Sequence, residues 1–371
     1  MRIAFLCKRR YMGKDVVVDR YGRLYEMPRQ LALLGHDVRG FCLSYRPSAA
    51  LDVVDEHADG KLRWISPAMG FARVPGLLAY PRKVLAALNE FRPDVIVGAS
   101  DAVHVVLAGW LSRRLSTPYA VDLYDNFESF KLTRFPGLER AYRAAIGRAA
   151  VVSCTGNALA DYVRQTCSPR GVVIALPSTV DRSVFRRGDK AAARRELALP
   201  EGALLVGTAG GLLAERGIDT LYDAFQQLAA SNRNVHLVLA GPVDSSCPPP
   251  VSPRVHYLGA LAHTRVALLF QALDLGVIYL RDTPFGRYCF PQKAYEMLAC
   301  GLPLAAANIG EMPHLLATAP QSLYDVDNAT SLVETISRQL ADPQLPSVEF
   351  GDWRALASDF EAALRVALQG T

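Results

Sequence analysis

Between Thr283 and Pro303 the chain reads TPFGRYCFPQKAYEMLACGLP, and two residues there have the types and spacing for anion and hydroxyl recognition. Lys293 and Glu296 are three residues apart, so on a helix they share a face. Pro291 suits a first helical turn, Gly301 suits a C-terminal glycine cap, and Pro303 stops the helix. The free N–H groups of such an N-terminus, with Lys293 beside them, favour an anion. With Glu296 about one turn on, the group suits a diphosphate and the hydroxyls of a sugar. A surface helix with a solvated Lys–Glu pair satisfies the same spacing.

A second group lies about 80 residues earlier. The apolar run Leu204–Thr208 reads as a strand, Gly210-Gly211 as a tight turn and Ile218–Ala230 as a helix, with Arg216 between turn and helix. Strand, glycine turn, cation and helix allow close backbone approach to a phosphate and a charge-assisted contact. A third group, Asp122-Leu-Tyr-Asp-Asn-Phe-Glu128, ends a strand in acidic and aromatic residues. Ligands of open α/β sheets bind beyond strand carboxyl ends. His104 reads as structural, and the Asp325-Val-Asp327 motif beside Asn328 as a helix-capping turn. The seven cysteines show no metal-ligand spacing and read as free thiols of a reducing compartment. No metal site is expected.

The elements that must position these residues alternate. Short apolar runs at Arg2–Cys7, Val38–Ser44, Leu62–Ser66, Asp94–Ala99, Tyr119–Tyr124, Ala150–Cys154 and Val172–Leu176 are separated by helical stretches. The pattern restarts after Pro177 with Leu204–Thr208, Val235–Gly241, Val255–Gly259, Leu275–Leu280 and Pro303–Ala307. This predicts parallel sheets covered on both faces. Pro28 predicts a helix start close by. Asp352 predicts a helix cap ahead of Trp353, Leu356, Phe360 and Leu364. The 371 residues, half of them hydrophobic, suffice for two domains. A net charge of +5 is too small and dispersed for nucleic acid, but favours an anionic ligand or an anionic membrane surface. The stretch Phe71–Phe91 mixes Phe71, Leu77, Leu78 and Tyr80 with Arg73, Arg82 and Lys83. It reads either as a membrane-surface helix or as a helix packed on the sheet. No GxGxxG follows the first strand, which counts against a dinucleotide cofactor. The Ile3–Cys7 run is too short for a secretory leader, so the expected location is cytoplasmic, either free or peripheral on the inner face of the membrane.

The run FPQKAYEMLACGLPLAAANIGEMP resembles the nucleotide-binding signature of family 4 retaining glycosyltransferases. The second glutamate of that signature falls on Glu296 and the first on Tyr288, while Pro291 and Lys293 match its P-x-K subgroup. GGLLAERGIDTLYDAF resembles the family's phosphate element, with Arg216 in the lysine position and Gly211 where an arginine is usual. The opening strand, loop, helix and Gly35-His36-Asp37-Val38 resemble the family's start. Gly22 takes the place of the loop glycine that admits the diphosphate, with Gly13 as substitute and Arg23 as an added cation. Tyr124 and Asp125 occupy the family's histidine–aspartate pair, and Pro177–Phe185 resembles its interdomain linker.

The resemblance covers nearly the whole chain and implies the GT-B fold, with two Rossmann-like parallel-sheet domains facing a cleft. These would be an acceptor-side domain, residues 1–177, and a nucleotide-sugar-binding domain, residues 178–350. A terminal helix, residues 351–371, would cross back to the first domain. It also implies retaining transfer from a nucleotide-diphosphate sugar to a glycan or lipid-linked acceptor, without a metal or other cofactor. Arg216, Lys293 and the helix N-terminus at Pro291 would stabilise the leaving diphosphate beside Gly210 and Gly211. Glu296 would take the ribose hydroxyls, and Phe285, Gly286, Arg287 and Tyr288 would lie along the transferred sugar. Asp125 and Tyr124 would position the sugar or acceptor. Two other readings are a nucleotide-sugar-binding module without activity and an epimerase of the same fold. The epimerase needs carboxylates on both faces of the sugar, and the 283–296 stretch offers only Glu296.

Overall fold

Short β-branched and apolar runs become parallel strands buried on both faces, and two sheets are built this way. The computed structural model describes residues 1–11, 13–56, 59–129, 133 and 135–369. Its chain forms two compact units, Met1–Ser178 with Asp352–Thr371, and Thr179–Gly351.

The first unit opens with β1 (Arg2–Lys8), a small hairpin of β2 (Arg10–Tyr11) and β3 (Lys14–Asp15), and α1 (Arg23–Leu33). Next come β4 (Asp37–Leu43), β5 (Leu51–Glu56), β6 (Lys61–Ser66), α2 (Arg73–Phe91), β7 (Val95–Ala99) and α3 (Ala102–Leu115). It continues with β8 (Tyr119–Leu123), α4 (Leu138–Arg148), β9 (Val151–Cys154), α5 (Asn157–Cys167) and β10 (Val172–Ala175). The sheet order is β10-β9-β8-β7-β1-β4-β6-β5, parallel except for the edge strand β5. Strand order therefore reverses between β1 and β7, and a crevice opens at their carboxyl ends.

The second unit runs α6 (Lys190–Glu196), β11 (Leu204–Ala209), α7 (Ile218–Ser231), β12 (Val235–Ala240), β13 (Val255–Tyr257), α8 (His263–Ala272) and β14 (Leu275–Ile278). Then follow α9 (Pro284–Tyr288), α10 (Gln292–Ala299), β15 (Leu304–Ala307), α11 (Met312–Leu315), β16 (Leu323–Tyr324) and α12 (Ala329–Ala341). All its strands pair in parallel, in the order β13-β12-β11-β14-β15-β16, so its crevice lies between β11 and β14. The Thr179 hydroxyl donates to the Gly351 carbonyl, joining the first and last residues of the unit. The terminal helix α13 (Trp353–Gln369) packs on α1, burying Leu356, Phe360 and Leu364.

Capping follows the sequence. Asp101 accepts from His104 N at 3.0 Å, and its carboxylate also lies 2.8 Å from His104 Nδ1. Asn328 accepts from Ser331 N at 3.0 Å and Asp352 from Ala355 N at 2.7 Å. The Asp325–Asp327 motif is thus turn chemistry ahead of α12. One expectation is corrected, and two elements join those read from the sequence. Pro28 does not mark the start of α1; it lies inside that helix, and burial of Leu24, Met27 and Leu31 against the sheet outweighs the lost hydrogen bond. The strand β5 carries Asp52, Asp55 and Glu56, and its polarity hides it among the apolar runs. The residues after Thr283 form a short helix of their own: Thr283 accepts from Gly286 N at 3.2 Å and Pro284 starts α9.

Candidate active site

In the second unit the turn after β11 sits at the crevice, and its geometry forces glycine. Gly210 has φ +109°, and a Cβ on Gly241 would stand 2.0 Å from the Gly210 carbonyl oxygen. Tyr279, just past β14, donates its hydroxyl to Gly211 O at 2.8 Å and so spans the crevice. Arg216 ends a 3₁₀ turn, Ala214–Arg216, and its guanidinium stacks 4.6 Å from the Phe285 ring centroid. Arg281 holds that turn in place, donating to Ala214 O at 2.9 Å and pairing with Asp219 and Asp327.

The first turn of α10 brings Lys293 to the same spot. Its ammonium lies 4.9 Å from the Tyr279 ring centroid, beside the glycine turn. Among the described residues neither Lys293 nor Arg216 has an ion-pair partner. Burial, and then the charge of Arg216, lower the Lys293 pKa to about 8. Two neighbouring cations with no carboxylate in ion-pair contact thus stand beside a glycine turn, where they repel one another. One turn on, Glu296 is buried and accepts from Gln292 Nε2 at 3.3 Å. Burial pushes its pKa up to about 7, opposed by that hydrogen bond and by Lys293.

The helix N-terminus contributes less than its sequence suggests. Pro291 is the N-cap, one position before the helix, and has no N–H. Gln292 N donates to Phe290 O at 2.9 Å and Ala294 N to Pro291 O at 2.9 Å, so these donors are satisfied locally. The side chains of Lys293 and Arg216 are the main positive groups.

Not every expected donor contact lies here. Arg287 is exposed and forks onto Asp282, with Nη2 2.9 Å from Oδ2, so it is corrected to a surface ion pair. Gly286 is buried because a Cβ there would stand 2.1 Å from Arg281 O; its smallness serves packing. Tyr288 is half-buried in the same short helix.

In the first unit, Gly22 caps α1 at φ +67° with no atom within 4 Å of an added Cβ; Gly13 is similarly open at φ +82°. Arg23 is not an available cation. Its side chain is 4% exposed, binds Asp122 through Nε at 3.0 Å and Nη2 at 2.8 Å, and donates to Leu176 O at 2.8 Å. The pair ties α1 to β8 and to the segment after β10. Tyr124 is also corrected: it is buried, its hydroxyl donates to Ser100 O at 3.0 Å, and burial raises its pKa well above the usual value. Asp125 remains half-buried at the end of β8 and accepts from Asn126 N at 2.8 Å.

Lys8 was hidden in the sequence inside a basic run. It ends β1 at the crevice, and its backbone N–H donates to Ser100 Oγ at 2.8 Å. Its ammonium lies 4.9 Å from the Tyr11 ring centroid and 5.5 Å from that of Tyr124. Burial lowers its pKa, opposed by Asp101 and Asp125.

Comparison with known proteins matches a glycosyl transferase 4-like domain to residues 23–179 and a glycosyl transferases group 1 domain to residues 203–342. Over its full length the chain superposes on a sucrose-phosphate synthase from Thermosynechococcus elongatus with TM-score 0.71 and 19% identity, covering 100% of both chains. The chain has the GT-B glycosyltransferase fold.

HepE from Anabaena, solved with UDP-glucose, shares this GT-B fold at TM-score 0.65 and 18% identity, with 100% of this chain and 95% of HepE covered. In sequence, a D-inositol 3-phosphate glycosyltransferase of Stackebrandtia nassauensis is 28% identical over 264 residues, 64% of this chain and 58% of its own length. The Mycobacterium tuberculosis protein of that name is 32% identical over 169 residues, 41% of this chain and 33% of its own length. The chain thus aligns with between a third and somewhat over half of these relatives. Among the described residues no helix is long and apolar enough to cross a membrane, and no group of three His, Cys, Asp or Glu side chains is placed to hold a metal ion.

Proposed function

We propose that this GT-B chain transfers a sugar from a nucleoside-diphosphate sugar to a glycan or lipid-linked acceptor with retention and without a metal. The observation that carries the reading is the pair of uncompensated cations, Lys293 and Arg216, beside the Gly210–Gly211 turn, with buried Glu296 one turn along. The leaving diphosphate gathers negative charge as its bond to the sugar lengthens. Two partly buried cations beside the turn stabilise that charge more than they stabilise the intact donor. Glu296 is one helical turn from the diphosphate position, within the span of a nucleotide, and accepts the ribose hydroxyls. Asp125 and Lys8 border the crevice of the first unit and orient the acceptor. The structural neighbours solved with UDP and UDP-glucose make uridine the first nucleotide to test.

Phe71, Val74 and Leu78 are exposed at helical spacing on and just before α2, while Tyr80, Val84, Leu88 and Phe91 pack inward. Arg82 and Lys83 are exposed near that stripe; the Arg73 side chain lies outside the described residues. The stripe supports peripheral contact with an anionic membrane surface carrying the acceptor. A second reading is donor binding without transfer, favoured by the commitment of the Tyr124 hydroxyl to Ser100, which leaves the usual histidine role unfilled.

Calorimetric titration with UDP, GDP, ADP and NAD, with and without EDTA, tests the donor reading. Selective, chelator-insensitive binding of one nucleoside diphosphate supports it, and binding of none overturns it. Incubation with the matching nucleotide sugar and candidate acceptors, with the anomeric product read by NMR, then separates transfer from silent binding and from epimerisation.

A further inference from the structure

Within the second unit, at the C-terminal end of α10, a cavity of about 440 Å³ opens. Leu298 and Ala299 line one side, and Leu345, Pro346, Val348 and Phe350 add further apolar wall. Arg182, Arg186 and Arg187 line the remaining side. Four other cations of this unit have carboxylate partners: Lys190 and Arg194 pair with Asp274, Arg195 with Glu201 and Arg265 with Glu196. Among the described residues, none of the three cavity arginines has a carboxylate partner. Asp181 is committed to the Ser183 N–H and hydroxyl, at 2.9 and 2.5 Å, and Glu349 is exposed without an ion pair to them.

All three arginines are solvent-exposed, and two of their side chains have contacts that hold them. The Arg182 guanidinium stacks 4.7 Å from the Phe350 ring centroid. Arg187 lies against Gly301, where an added Cβ would stand 2.6 Å from its Nε. Buried Phe185 anchors the middle of the segment, and Gln271 Nε2 holds Arg186 O at 2.8 Å. Three like charges gathered by the fold without a counter-ion cost stability, and an anion removes that cost. Planar guanidinium forks match phosphoryl oxygens. A cavity of this size falls in the range of small-molecule sites, roughly 300–1,000 Å³, and exceeds the needs of a bare phosphate.

We infer that this cavity is a second anion site, taking a phosphoryl group on a compact organic body that rests against Pro346 and Phe350. The phosphoryl group comes either from a soluble phosphorylated metabolite or from a phospholipid headgroup. This inference is independent of the donor reading, and its test disables the donor site.

The test uses the full chain carrying Lys293→Met, with methyl-labelled leucine and valine, titrated with pyrophosphate or with phosphatidylcholine vesicles containing phosphatidylglycerol. Saturable shifts of the Leu345 and Val348 methyls are expected, with affinity falling about tenfold or more in Arg182→Ala/Arg187→Ala. Pyrophosphate-driven shifts assign a soluble ligand; shifts with vesicles alone assign a lipid headgroup. A Val348→Trp variant, which fills the cavity and keeps its charge, should also abolish the shifts. No shift with either probe, or equal affinity in the arginine variant at an unchanged melting temperature, overturns the site.

Discussion

Lys293 lies against the Gly210 turn so closely that a Cβ on Gly210 would stand 3.3 Å from its Cδ and 3.5 Å from its Nζ. Gly210→Ala therefore meets two obstacles, a φ of +109° and the lysine side chain. It should cost about 1–3 kcal/mol of stability and weaken UDP binding by displacing Lys293. Gly202→Ala, in open space at ordinary φ, is the control. Equal UDP affinity in the two folded variants would place the diphosphate elsewhere.

A diphosphate beside Lys293 raises its pKa from about 8. Binding near pH 8 should then take up protons, measurable by calorimetry in buffers of different ionisation enthalpy. Affinity should decline as pH rises above about 8. Lys293→Gln should bind more weakly and lose both the uptake and the pH dependence.

Glu296 runs the other way in stability. Its folded pKa is raised from 4.5 to about 7, so between those values the folded state keeps a proton that the unfolded chain has released. Stability is greatest below the unfolded pKa on this account and falls as pH rises through about 7, by at most about 3 kcal/mol. Urea midpoints across that window should fall in the wild type and flatten in Glu296→Gln. The same variant should also lose nucleotide affinity relative to pyrophosphate, because only the nucleotide presents ribose hydroxyls.

Arg23 and Asp122 form a buried pair, and removing one partner strands the other. Arg23→Met should cost about 3–5 kcal/mol, read as a lower melting temperature, while the folded fraction keeps its UDP affinity. A selective loss of UDP binding at wild-type stability would return Arg23 to the donor site.

Tyr124 and Lys8 divide contact between ring and hydroxyl. Tyr124→Phe keeps the ring near Lys8 and removes the bond to Ser100 O, so about 1 kcal/mol of stability should go with turnover little changed. Lys8→Met should raise KM for an anionic acceptor and leave donor affinity intact. A large fall in kcat for Tyr124→Phe would show that the hydroxyl meets the reacting sugar.

The fold class was legible because both halves repeat apolar runs separated by helical stretches, and parallel strands buried on both faces require such runs. Punctuation was legible as well: Gly301 follows α10 at φ +75°, and Asp352 and Asn328 cap their helices. The convergence of Lys293, Arg216 and Gly210 rests on residues about 80 positions apart, which the strand–turn–helix order brings to one crevice. Side-chain commitments were not legible. Arg23 reads like Arg216 in sequence, yet one meets Asp122 and the other has no carboxylate partner among the described residues, because a partner 99 residues away has no local signature. Lys8 was obscured by the basic run Lys8-Arg9-Arg10, and of its two tyrosine neighbours only Tyr11 is local, Tyr124 coming from far along the chain.

The bond between Thr179 and Gly351 means that the second unit enters and leaves the chain at one place. Topologically it is an insertion carried by the first unit, whose own chain resumes with α13. A short bridge from Ser178 to Asp352 would close the host without it, and residues 179–351 would form a separate piece with neighbouring ends. The second unit could thus be exchanged between scaffolds as a cassette, with one junction to engineer.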